Sequence, residues 1–304
     1  MSDQIPFLSV YGHVAVDQID YVDRFPEINE TVDVMKSSLS LGGTGANIAV
    51  NAARLGVPTA LCAFTGSDFP DGFRHILEDS GLMLDEFNTV EGMASSGALL
   101  INDRELRQKV LFNQGPQGSA SKLGKMQISN AKRSKKVHFC TGDPQYYLSI
   151  MHKLKDGPDL AVDPAQEIYR FWKKPILDEA LIMCKSLFCN EYEASVITKR
   201  LRLNTVFDVP CETVVMTKGA EGSRAKIGNE MFDIPCLPAD TVVDATGAGD
   251  SYRAGYYAGL YYGFTPDRAL IIASSVASFT VEKVGAVAAT PTWEDVMARA
   301  DRYL

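Results

Sequence analysis

The sequence lacks the residue patterns that hold a structural metal ion. Its six cysteines lie at positions 62, 140, 184, 189, 211 and 236, and no two of them have C-x-x-C spacing. The four histidines are scattered along the chain. Because tetrahedral zinc sites need closely spaced Cys and His ligands, we expect no zinc site here.

Long apolar runs and an excess of positive charge are also missing. No stretch reaches the roughly 18 apolar residues of a membrane-spanning helix. The N-terminal residues MSDQIPFLSVYG carry neither the basic nor the apolar region of a signal peptide. The formal net charge of −8 disfavours a nucleic-acid or anionic-membrane surface. We therefore expect a cytoplasmic protein with reduced thiols that binds neither nucleic acid nor membrane.

Two common kinase signatures do not occur either. There is no G-x-x-x-x-G-K-[ST] loop, which excludes a P-loop enzyme, and no HRD and DFG set, which excludes a protein kinase. The hydrophobic content of 46% and the charged content of 22% are those of a globular protein. The length of 304 residues suits one elaborated α/β core, so we expect residues 1–304 to form a single domain.

What the sequence does contain is a regular alternation of short apolar runs with amphipathic segments. This alternation predicts a mostly parallel sheet with helices on both faces. The apolar runs end in Gly, Asp, Asn or Thr, and ligands of such sheets bind beyond the carboxyl ends of the strands. The predicted strands include 7–12, 59–66, 136–142, 159–164, 186–190 and 213–219, and the predicted helices include 46–56, 73–81, 146–155 and 175–185.

Two segments have a different pattern. Residues 31–43 and 96–115 alternate apolar and polar side chains, and the second segment turns back on itself around residues 102–105. Alternation with a period of two predicts strands with one solvent-facing side. We expect a small β-sheet lid that projects from the core and is formed by inserted segments of approximately 13–41 and 96–115.

The stretch DATGAGDSYRAG combines a small-residue loop with the start of a predicted helix. An apolar run that resembles a strand comes first, and Gly247, Ala248 and Gly249 directly precede Asp250. Free N–H groups at such a helix start attract an anion, and small residues let a phosphate approach. Asp250 in the first turn can take a proton from an attacking hydroxyl. An Asp near a helix start is also a common cap, so the loop alone supports both interpretations equally.

A second glycine-rich loop, LGGTGAN, leads into a predicted helix that opens near Asn47. A tight turn before a core helix explains this loop, taken alone, better than a ligand does. Asp17 follows the strand that ends in Gly12, and a lone Asp at such a place is more often a surface turn residue. Neither stretch indicates a function by itself.

In combination and in this order, the motifs resemble the signatures of the ribokinase (PfkB) carbohydrate kinase superfamily. GGTGAN and DATGAGD carry the resemblance, and VYGHVAVD, NEYEA, TKGAEGS and KVGAVAATPTW extend it along the chain. HFCTGDPQYYL, VDPAQEIYRFW and GAGDSYRAGYY look like the narrower group of archaeal nucleoside kinases. The resemblance implies an α/β fold: a ribokinase-like three-layer α/β/α sandwich with a mostly parallel central sheet and a small β-sheet lid.

The resemblance also implies roles for individual positions. Asp250 matches the family's general base, and the loop of Gly247, Ala248 and Gly249 matches its anion hole. Glu193 matches a residue that serves Mg²⁺ through water. The positions that match substrate contacts are Asp17, Gly43, Asn47, Gln114 and Gln166, and those that match ATP contacts are Asn190, Thr217, Gly219 and Gly222.

The chain departs from the family signature at one position. Where Thr, Ser or Pro usually follows the first Asp of the second motif, this chain has Ala245. The change concerns the loop and not the chemistry, but it leaves a nearby monovalent-cation site unsupported.

From the resemblance we expect an ATP-dependent, Mg²⁺-requiring kinase that phosphorylates the 5′-hydroxyl of a ribonucleoside of the inosine, guanosine or cytidine type. The alternative is a sugar kinase of the same superfamily, such as a ribokinase, fructokinase or phosphofructokinase. A non-catalytic nucleoside sensor is a third hypothesis, which the intact GAGD loop disfavours. Because a half-exposed lid sheet leaves an apolar face open, we also expect a homodimer through the lids.

Overall fold

The structure is a computed structural model that describes residues 4–105, 107–288 and 290–304. The strands are β1 (Leu8–Tyr11), β2 (Ala15–Val22), β3 (Val34–Gly42), β4 (Thr59–Gly66), β5 (Phe87–Val90), β6 (Gly97–Asn102), β7 (Gln108–Asn113), β8 (Lys136–Phe139), β9 (Asp159–Val162), β10 (Ser186–Asn190), β11 (Thr213–Thr217), β12 (Ser223–Ile227) and β13 (Glu230–Ile234). The helices are α1 (Thr44–Arg54), α2 (Asp71–Asp79), α3 (Ser129–Arg133), α4 (Pro144–Lys153), α5 (Lys174–Met183), α6 (Glu191–Leu201), α7 (Ala248–Tyr261), α8 (Pro266–Thr280) and α9 (Trp293–Ala300).

The larger sheet has nine strands in the order β13-β12-β11-β10-β9-β8-β1-β4-β5. Neighbours from β5 to β11 are parallel, and only the β11-β12-β13 edge is antiparallel. Its inner strands are almost wholly apolar because successive side chains enter two different cores. On β1, for example, Val10 packs into one core and Tyr11 into the other. The predicted mostly parallel sheet is confirmed.

Helices cover both faces of this sheet, which gives three layers. Ile48 of α1 and Tyr252 of α7 belong to one core. Tyr147 of α4, Leu177 of α5 and Ile197 of α6 belong to the other. None of the helices in the described part of the chain has both the length and the hydrophobicity of a membrane span.

Small residues let α7 and α8 pack closely. A Cβ on Gly255 would lie 2.9 Å from the Cα of Ala273, and one on Gly259 would lie 2.8 Å from the Cα of Ala269. Such distances leave no room for a side chain, so the two helices touch backbone to backbone. The position of α7, and of the loop before it, is therefore fixed by packing.

The smaller sheet forms the lid, in the strand order β3-β2-β6-β7. Strand β2 pairs antiparallel with β3 and parallel with β6, and β6 and β7 form the expected hairpin. Leu106, which lies between β6 and β7 in the sequence, is outside the described residues. The lid is continuous with the core, since only three residues separate β1 from β2.

One predicted strand is wrong. The apolar run before the GAGD loop does not join a sheet, because residues 235–246 are irregular. The Val243 N–H instead donates to the carbonyl of Val281, just beyond α8, at 2.7 Å. The loop before α7 is thus anchored to a helix end. A short apolar run could equally well serve as a strand or as a packed loop, and only the tertiary contacts distinguish the two.

The start of α1 also differs from the expectation. The helix begins at Thr44 and not near Asn47, because Gly43 takes the N-cap position. Strands β5, β12 and β13 and helices α3, α6, α8 and α9 were not among the predicted elements. The sheet edge escaped the pattern because its strands are antiparallel and mostly half-exposed.

Candidate active site

The loop before α7 leaves backbone N–H groups open. Gly247 caps this helix with a φ of 76°, and a Cβ at this position would collide with Ala286. No side chain in the described ranges caps α7. Among the described residues, the N–H groups of Gly249 and Asp250 meet no acceptor. An uncapped helix start of this kind, with the positive end of the helix dipole, is a site for an anion.

The carboxylate of Asp250, in the first turn of α7, is joined to α1. Asn47 Nδ2 donates to Asp250 Oδ2 at 2.7 Å. Burial raises the pKa of Asp250 to about 7, whereas the Asn47 hydrogen bond and the charge of Arg253 oppose the rise. A carboxyl with a pKa near neutrality can accept a proton from a hydroxyl. Asn47 Oδ1 is buried without a donor among the described residues, so it is available to a ligand.

Glycines allow α1 to start against the end of β1. Gly43 has a φ of 91°, and a Cβ there would collide with the carbonyl of His13. A Cβ on Gly45 would lie 2.8 Å from the Cα of Gly12, so helix and strand end meet backbone to backbone. The GGTG loop is therefore a tight turn that also positions Asn47, in the first turn of α1, at the edge of the sheet.

Asp17 lies on strand β2 of the lid. The Ala98 N–H donates to Asp17 Oδ1 at 3.1 Å, and Asp17 Oδ2 occupies the space that a Cβ on Gly42 would need. Burial raises the pKa of Asp17. Since Gly42 directly precedes the cap of α1, Asp17 lies beside the start of the helix that carries Asn47.

Gln114, where the chain returns from the lid to the core, belongs to a buried polar cluster. Its carbonyl lies 3.1 Å from His13 Nε2, and His13 Nδ1 lies 2.9 Å from Thr141 Oγ1. Burial lowers the pKa of His13 to about 4, so the imidazole is neutral at physiological pH. Gln114 Oε1 is buried without a donor among the described residues. The cluster joins the lid to the core and still offers an acceptor.

Gln166 is exposed, whereas its neighbour Glu167 is buried. The Gly142 N–H donates to Glu167 Oε2 at 2.6 Å, and Glu167 Oε1 lies 3.7 Å from His13 Nδ1. Burial raises the pKa of Glu167 to about 8, so this carboxyl is protonated at neutral pH. The structure thus brings Glu167 to the polar cluster, and a contact of Gln166 with substrate stays a prediction. No sequence signal distinguishes the two neighbours.

Asn190 and Glu193 form a capping box at the start of α6. Asn190 Oδ1 accepts from the Glu193 N–H and Glu193 Oε2 accepts from the Asn190 N–H, both at 2.8 Å. Burial raises the pKa of Glu193, and the charge of Asp163 adds to the rise. Glu193 Oε1 takes no hydrogen bond from a described residue. One carboxylate oxygen therefore remains for a water molecule.

The donor set at α6 fits Mg²⁺ held through water. Within the described ranges, no group of three or more His, Cys, Asp or Glu side chains could hold a metal ion directly. Mg²⁺ keeps several waters and is usually held by one or two carboxylates together with substrate phosphates. A single buried carboxylate with one free oxygen, as in Glu193, suits this mode.

An apolar cavity of about 410 Å³ adjoins the start of α7. Thr217, Gly219 and Gly222 line it from the end of β11, and Ala248 and Gly249 line it from α7. The volume lies within the range of small-molecule pockets. Three of the positions that match ATP contacts therefore share one cavity that reaches the open N–H groups.

A buried ion pair beneath α7 was not singled out by the sequence analysis. Arg253 Nε donates to Asp163 Oδ2 at 2.7 Å, and the two side chains are 6% and 4% exposed. Burial alone would raise the pKa of Asp163, but the charge of Arg253 holds it below its usual value. The available signal was the strand-terminal Asp in VDP, at the sheet edge where ligands bind.

Comparisons with known proteins identify the family of the chain. The model of the pfkB family carbohydrate kinases matches residues 6–293, and the chain belongs to this family. It is 29% identical to a nucleoside kinase of Methanocaldococcus jannaschii, over 100% of this chain and 99% of the relative. It is 30% identical to a nucleoside kinase of Methanothermobacter thermautotrophicus, over 98% and 96% of the two chains.

The crystal structure of the Methanocaldococcus jannaschii nucleoside kinase matches this structure with a TM-score of 0.90. The two are 28% identical, and the match covers 98% of this chain and 99% of that one. The ribokinase-like three-layer fold with a lid is confirmed. The protein is a kinase that transfers a phosphoryl group to an alcohol.

Proposed function

We propose that the protein is an ATP- and Mg²⁺-dependent nucleoside kinase acting on the 5′-hydroxyl of a ribonucleoside of the inosine, guanosine or cytidine type. The observation that carries this proposal is the hydrogen bond between Asn47 and Asp250. This bond joins a carboxylate of raised pKa, in the first turn of α7, to α1, whose N-cap directly follows the end of lid strand β3. The archaeal nucleoside kinases, which match this chain over nearly its full length, support the acceptor class.

In this proposal Asp250 is the general base. Its carboxylate takes the proton of the 5′-hydroxyl as the oxygen bonds to the γ-phosphorus, and the bond to the β-phosphate oxygen breaks to release ADP. The loop of Gly247, Ala248 and Gly249 forms the anion hole in this proposal, and its donors to the charge on the transferring group are the open N–H groups of Gly249 and Asp250, since the Ala248 N–H donates to the carbonyl of Ala245 at 3.2 Å. Phosphoryl transfer depends mainly on such positioning and charge stabilisation.

Asp17 holds the ribose through its 2′ and 3′ hydroxyls, beside Gly43 and Asn47. A carboxylate accepts two hydroxyl donors at once, and Asn47 Oδ1 offers a further acceptor. Gln114 and Gln166 are the proposed contacts to the rest of the nucleoside. Replacing Asp17 by Ala is expected to raise KM for ribonucleosides about 100-fold, since hydrogen bonds to a charged group are lost. An unchanged KM would contradict this role.

ATP occupies the apolar cavity, with Thr217, Gly219 and Gly222 around the nucleotide and Asn190 towards the phosphates. Glu193 holds Mg²⁺ through water by its free oxygen. When bound, the ion neutralises charge on the phosphates. The protein's own contribution on this side is to hold the donor against α7 and to exclude water, which otherwise competes as acceptor.

The cations of the lid hairpin disfavour a sugar phosphate as acceptor. Arg107 pairs with Asp103 and Glu105, at 2.6 and 3.2 Å, and Arg104 pairs with Asp23. Their charges are matched within the lid, and among the described residues of this hairpin Lys109 is the cation without a carboxylate partner. The Lys109 ammonium lies over the ring of Phe25, 4.5 Å from its centre.

The decisive experiment is a coupled phosphotransfer assay with ATP and Mg²⁺ on inosine, guanosine, cytidine, adenosine, ribose, fructose and fructose 6-phosphate. We expect turnover on ribonucleosides that Asp250→Asn lowers about 10²- to 10⁴-fold. The exposed Asp301→Asn serves as the matched control. Turnover on a sugar alone would show that the acceptor is a sugar and not a nucleoside. Undiminished turnover of Asp250→Asn would show that Asp250 is not the base.

Exposed apolar side chains on the lid support a homodimer through the two lids. Leu39 on β3 and Leu111 on β7 are 58% and 64% exposed, and both strands are edges of the lid sheet. Open edges and apolar patches favour association with a second copy of the chain. Light scattering is expected to show a dimer, and Leu39→Lys with Leu111→Lys is expected to show a monomer; a monomeric unmodified protein would contradict the proposal.

A further inference from the structure

The first turn of α7 lies on a buried charge. Arg253 sits one turn after Asp250 and is 5% exposed. Its Nε donates to Asp163 at 2.7 Å, and its Nη1 donates to the carbonyl of Gly249 at 3.1 Å. The guanidinium also lies 5.7 Å from the centre of the Phe188 ring. One side chain thus connects the strand edge with the peptide that precedes the proposed base.

Stability alone does not account for this ion pair. Desolvation makes a buried ion pair a weak source of stability, and apolar side chains of similar size often serve as well. The contacts around this pair connect it to α7, the helix that carries Asp250. His138 on β8 lies 3.6 Å from Asp163, and its other ring nitrogen lies 2.8 Å from the hydroxyl of Tyr257 on α7. Two strands and two turns of α7 therefore hold Arg253 and Asp163 in one arrangement.

The hydrogen bond to Gly249 has a geometric consequence. The carbonyl of Gly249 and the N–H of Asp250 belong to one planar peptide and point in opposite directions. When Arg253 holds the carbonyl, the N–H is held facing out of the helix start, where an anion binds. A preorganised donor stabilises developing charge without reorganisation at the moment of reaction.

We propose that Arg253, oriented by Asp163, is a positioning residue for phosphoryl transfer, which fixes the Gly249–Asp250 peptide and places a positive charge one turn below the base. The proposal rests on the proposed function, because it assigns the base to Asp250. Arg253 itself does not touch substrate. It acts by holding the plane of the Gly249–Asp250 peptide and through the electric field of its own charge at the Asp250 carboxylate.

Four groups on four elements affect the pKa of that carboxylate, and of these Asn47 donates a hydrogen bond to it. They are Asn47 of α1, Arg253 of α7, Asp163 beyond β9 and Glu193 of α6. Burial raises the pKa of Asp250 most; Arg253 lowers it, and Asp163 and Glu193 raise it. Removal of the Arg253 charge and removal of the Asp163 charge therefore have opposite effects on the same group. The sign of each shift reports the charge of the pair at Asp250, and the kcat of variants with unchanged stability reports its positioning role.

The test is the pH profile of kcat/KM for inosine with ATP and Mg²⁺, measured on the full chain. Arg253→Met is expected to move the acid limb about one pH unit upward, and Asp163→Asn is expected to move it downward. Arg253→Met is also expected to lower kcat about tenfold with KM for inosine nearly unchanged, since the peptide is no longer held. Arg253→Lys keeps the positive charge but loses the forked guanidinium. We therefore expect the acid limb of the pH profile to stay in place and kcat to fall in part.

Two further variants control for folding. The double variant Arg253→Met with Asp163→Asn leaves neither charge of the pair buried without its partner, so it is expected to fold. The acid limb of its pH profile is expected to lie near that of the unmodified enzyme. Arg74→Met removes a half-buried arginine over the Phe87 ring, away from α7, and is expected to keep the profile. Thermal unfolding and inosine binding confirm that each variant is folded.

The outcomes separate this proposal from the proposed function. A fall in kcat of Arg253→Met at unchanged KM and unchanged thermal stability, together with opposite shifts in the two single variants, supports a positioning role for Arg253. If the acid limb of the pH profile lies at the same pH in all folded variants, and activity falls only as thermal stability falls, the pair is structural and the positioning proposal is overturned. Full activity of Asp250→Asn would instead remove the base itself and the proposed function with it.

Discussion

Helices α6 and α7 both begin at the carboxyl edge of the sheet, and their N-termini are completed in opposite ways. In α6, Asn190 and Glu193 satisfy each other's N–H groups in a capping box. In α7, a glycine with positive φ caps the helix, and no side chain of the described residues caps it. The contrast is between a helix start closed by its own side chains and one at which the N–H groups of Gly249 and Asp250 stay open.

The start of α9, away from the cavity beside α7, repeats the closed arrangement. Thr292 and Asp295 form the same capping box as Asn190 and Glu193. A side-chain cap typically contributes about 1 kcal/mol to stability. Helix α7 forgoes this contribution, which is expected where bound phosphate completes the helix start. Helix α9 thus provides matched controls for α6.

The largest expected effect comes from closing the open helix start with a side chain. Gly247→Ala forces a Cβ into Ala286 and strains a φ of 76°. We expect kcat/KM to fall at least about 10²-fold, because the N–H groups must shift away from the phosphoryl position. Gly81→Ala is the matched control, since Gly81 has the same φ of 76° but open space around it. Equal kinetic losses in both variants would show that strain alone matters.

The second effect separates the cap of α6 from its proposed metal role. Glu193→Gln keeps an oxygen for the Asn190 N–H, so the capping box is retained. We expect the Mg²⁺ concentration for half-maximal rate to rise about 10- to 100-fold, the usual effect of losing a residue that orients a metal's ligands. Titration of activity with Mg²⁺ measures this. Asp295→Asn, at the same position of the α9 box, is expected to leave the titration unchanged; a similar change in both would refute the metal role.

The third effect uses the pKa of the carboxylate at the open helix start. Burial raises the pKa of Asp250 to about 7, and the base acts in its ionised form, so kcat/KM is expected to fall about tenfold per pH unit below 7. Asn47→Ala removes a hydrogen bond that favours the ionised form. The midpoint is therefore expected to move to higher pH in this variant. A midpoint near 4 in the unmodified enzyme would contradict the assignment.

The smallest expected effect is on stability. Asn190→Ala and Thr292→Ala each remove one capping side chain, and each is expected to lower the free energy of unfolding by about 1 kcal/mol. Denaturant unfolding measures this. If Asn190 also contacts the phosphates of ATP, only Asn190→Ala raises KM for ATP. Equal KM values in the two variants would leave Asn190 with a capping role alone.

Most of the local structure could be predicted from the sequence. The parallel strands, the central helices and the lid hairpin follow from patterns of period 2 and 3.6. The run at residues 241–243 was mistaken for a strand because a short apolar segment has the same pattern in a packed loop. Strands β12 and β13 were missed because half-exposed edge strands carry a weak pattern.

For the candidate site, the two glycine-rich loops and their small residues could be predicted from the sequence. Gly43 and Gly247 have the positive φ that their loops require, and the predicted Asp250 lies in the first turn of α7. The neighbours Gln166 and Glu167 could not be told apart, since one residue of rotation in a short 3-10 helix decides which side chain is buried.

The sequence by itself determined what is local: where the chain turns, which segments are helices or strands, and which loops present free N–H groups. Only the tertiary structure decided which side chains meet. Asn47 and Asp250 are 203 positions apart, and Asp163 and Arg253 are 90 apart. Backbone geometry and periodicity act over a few residues, whereas these contacts depend on strand order and helix packing, which bring the strand ends and helix starts to one edge of the sheet.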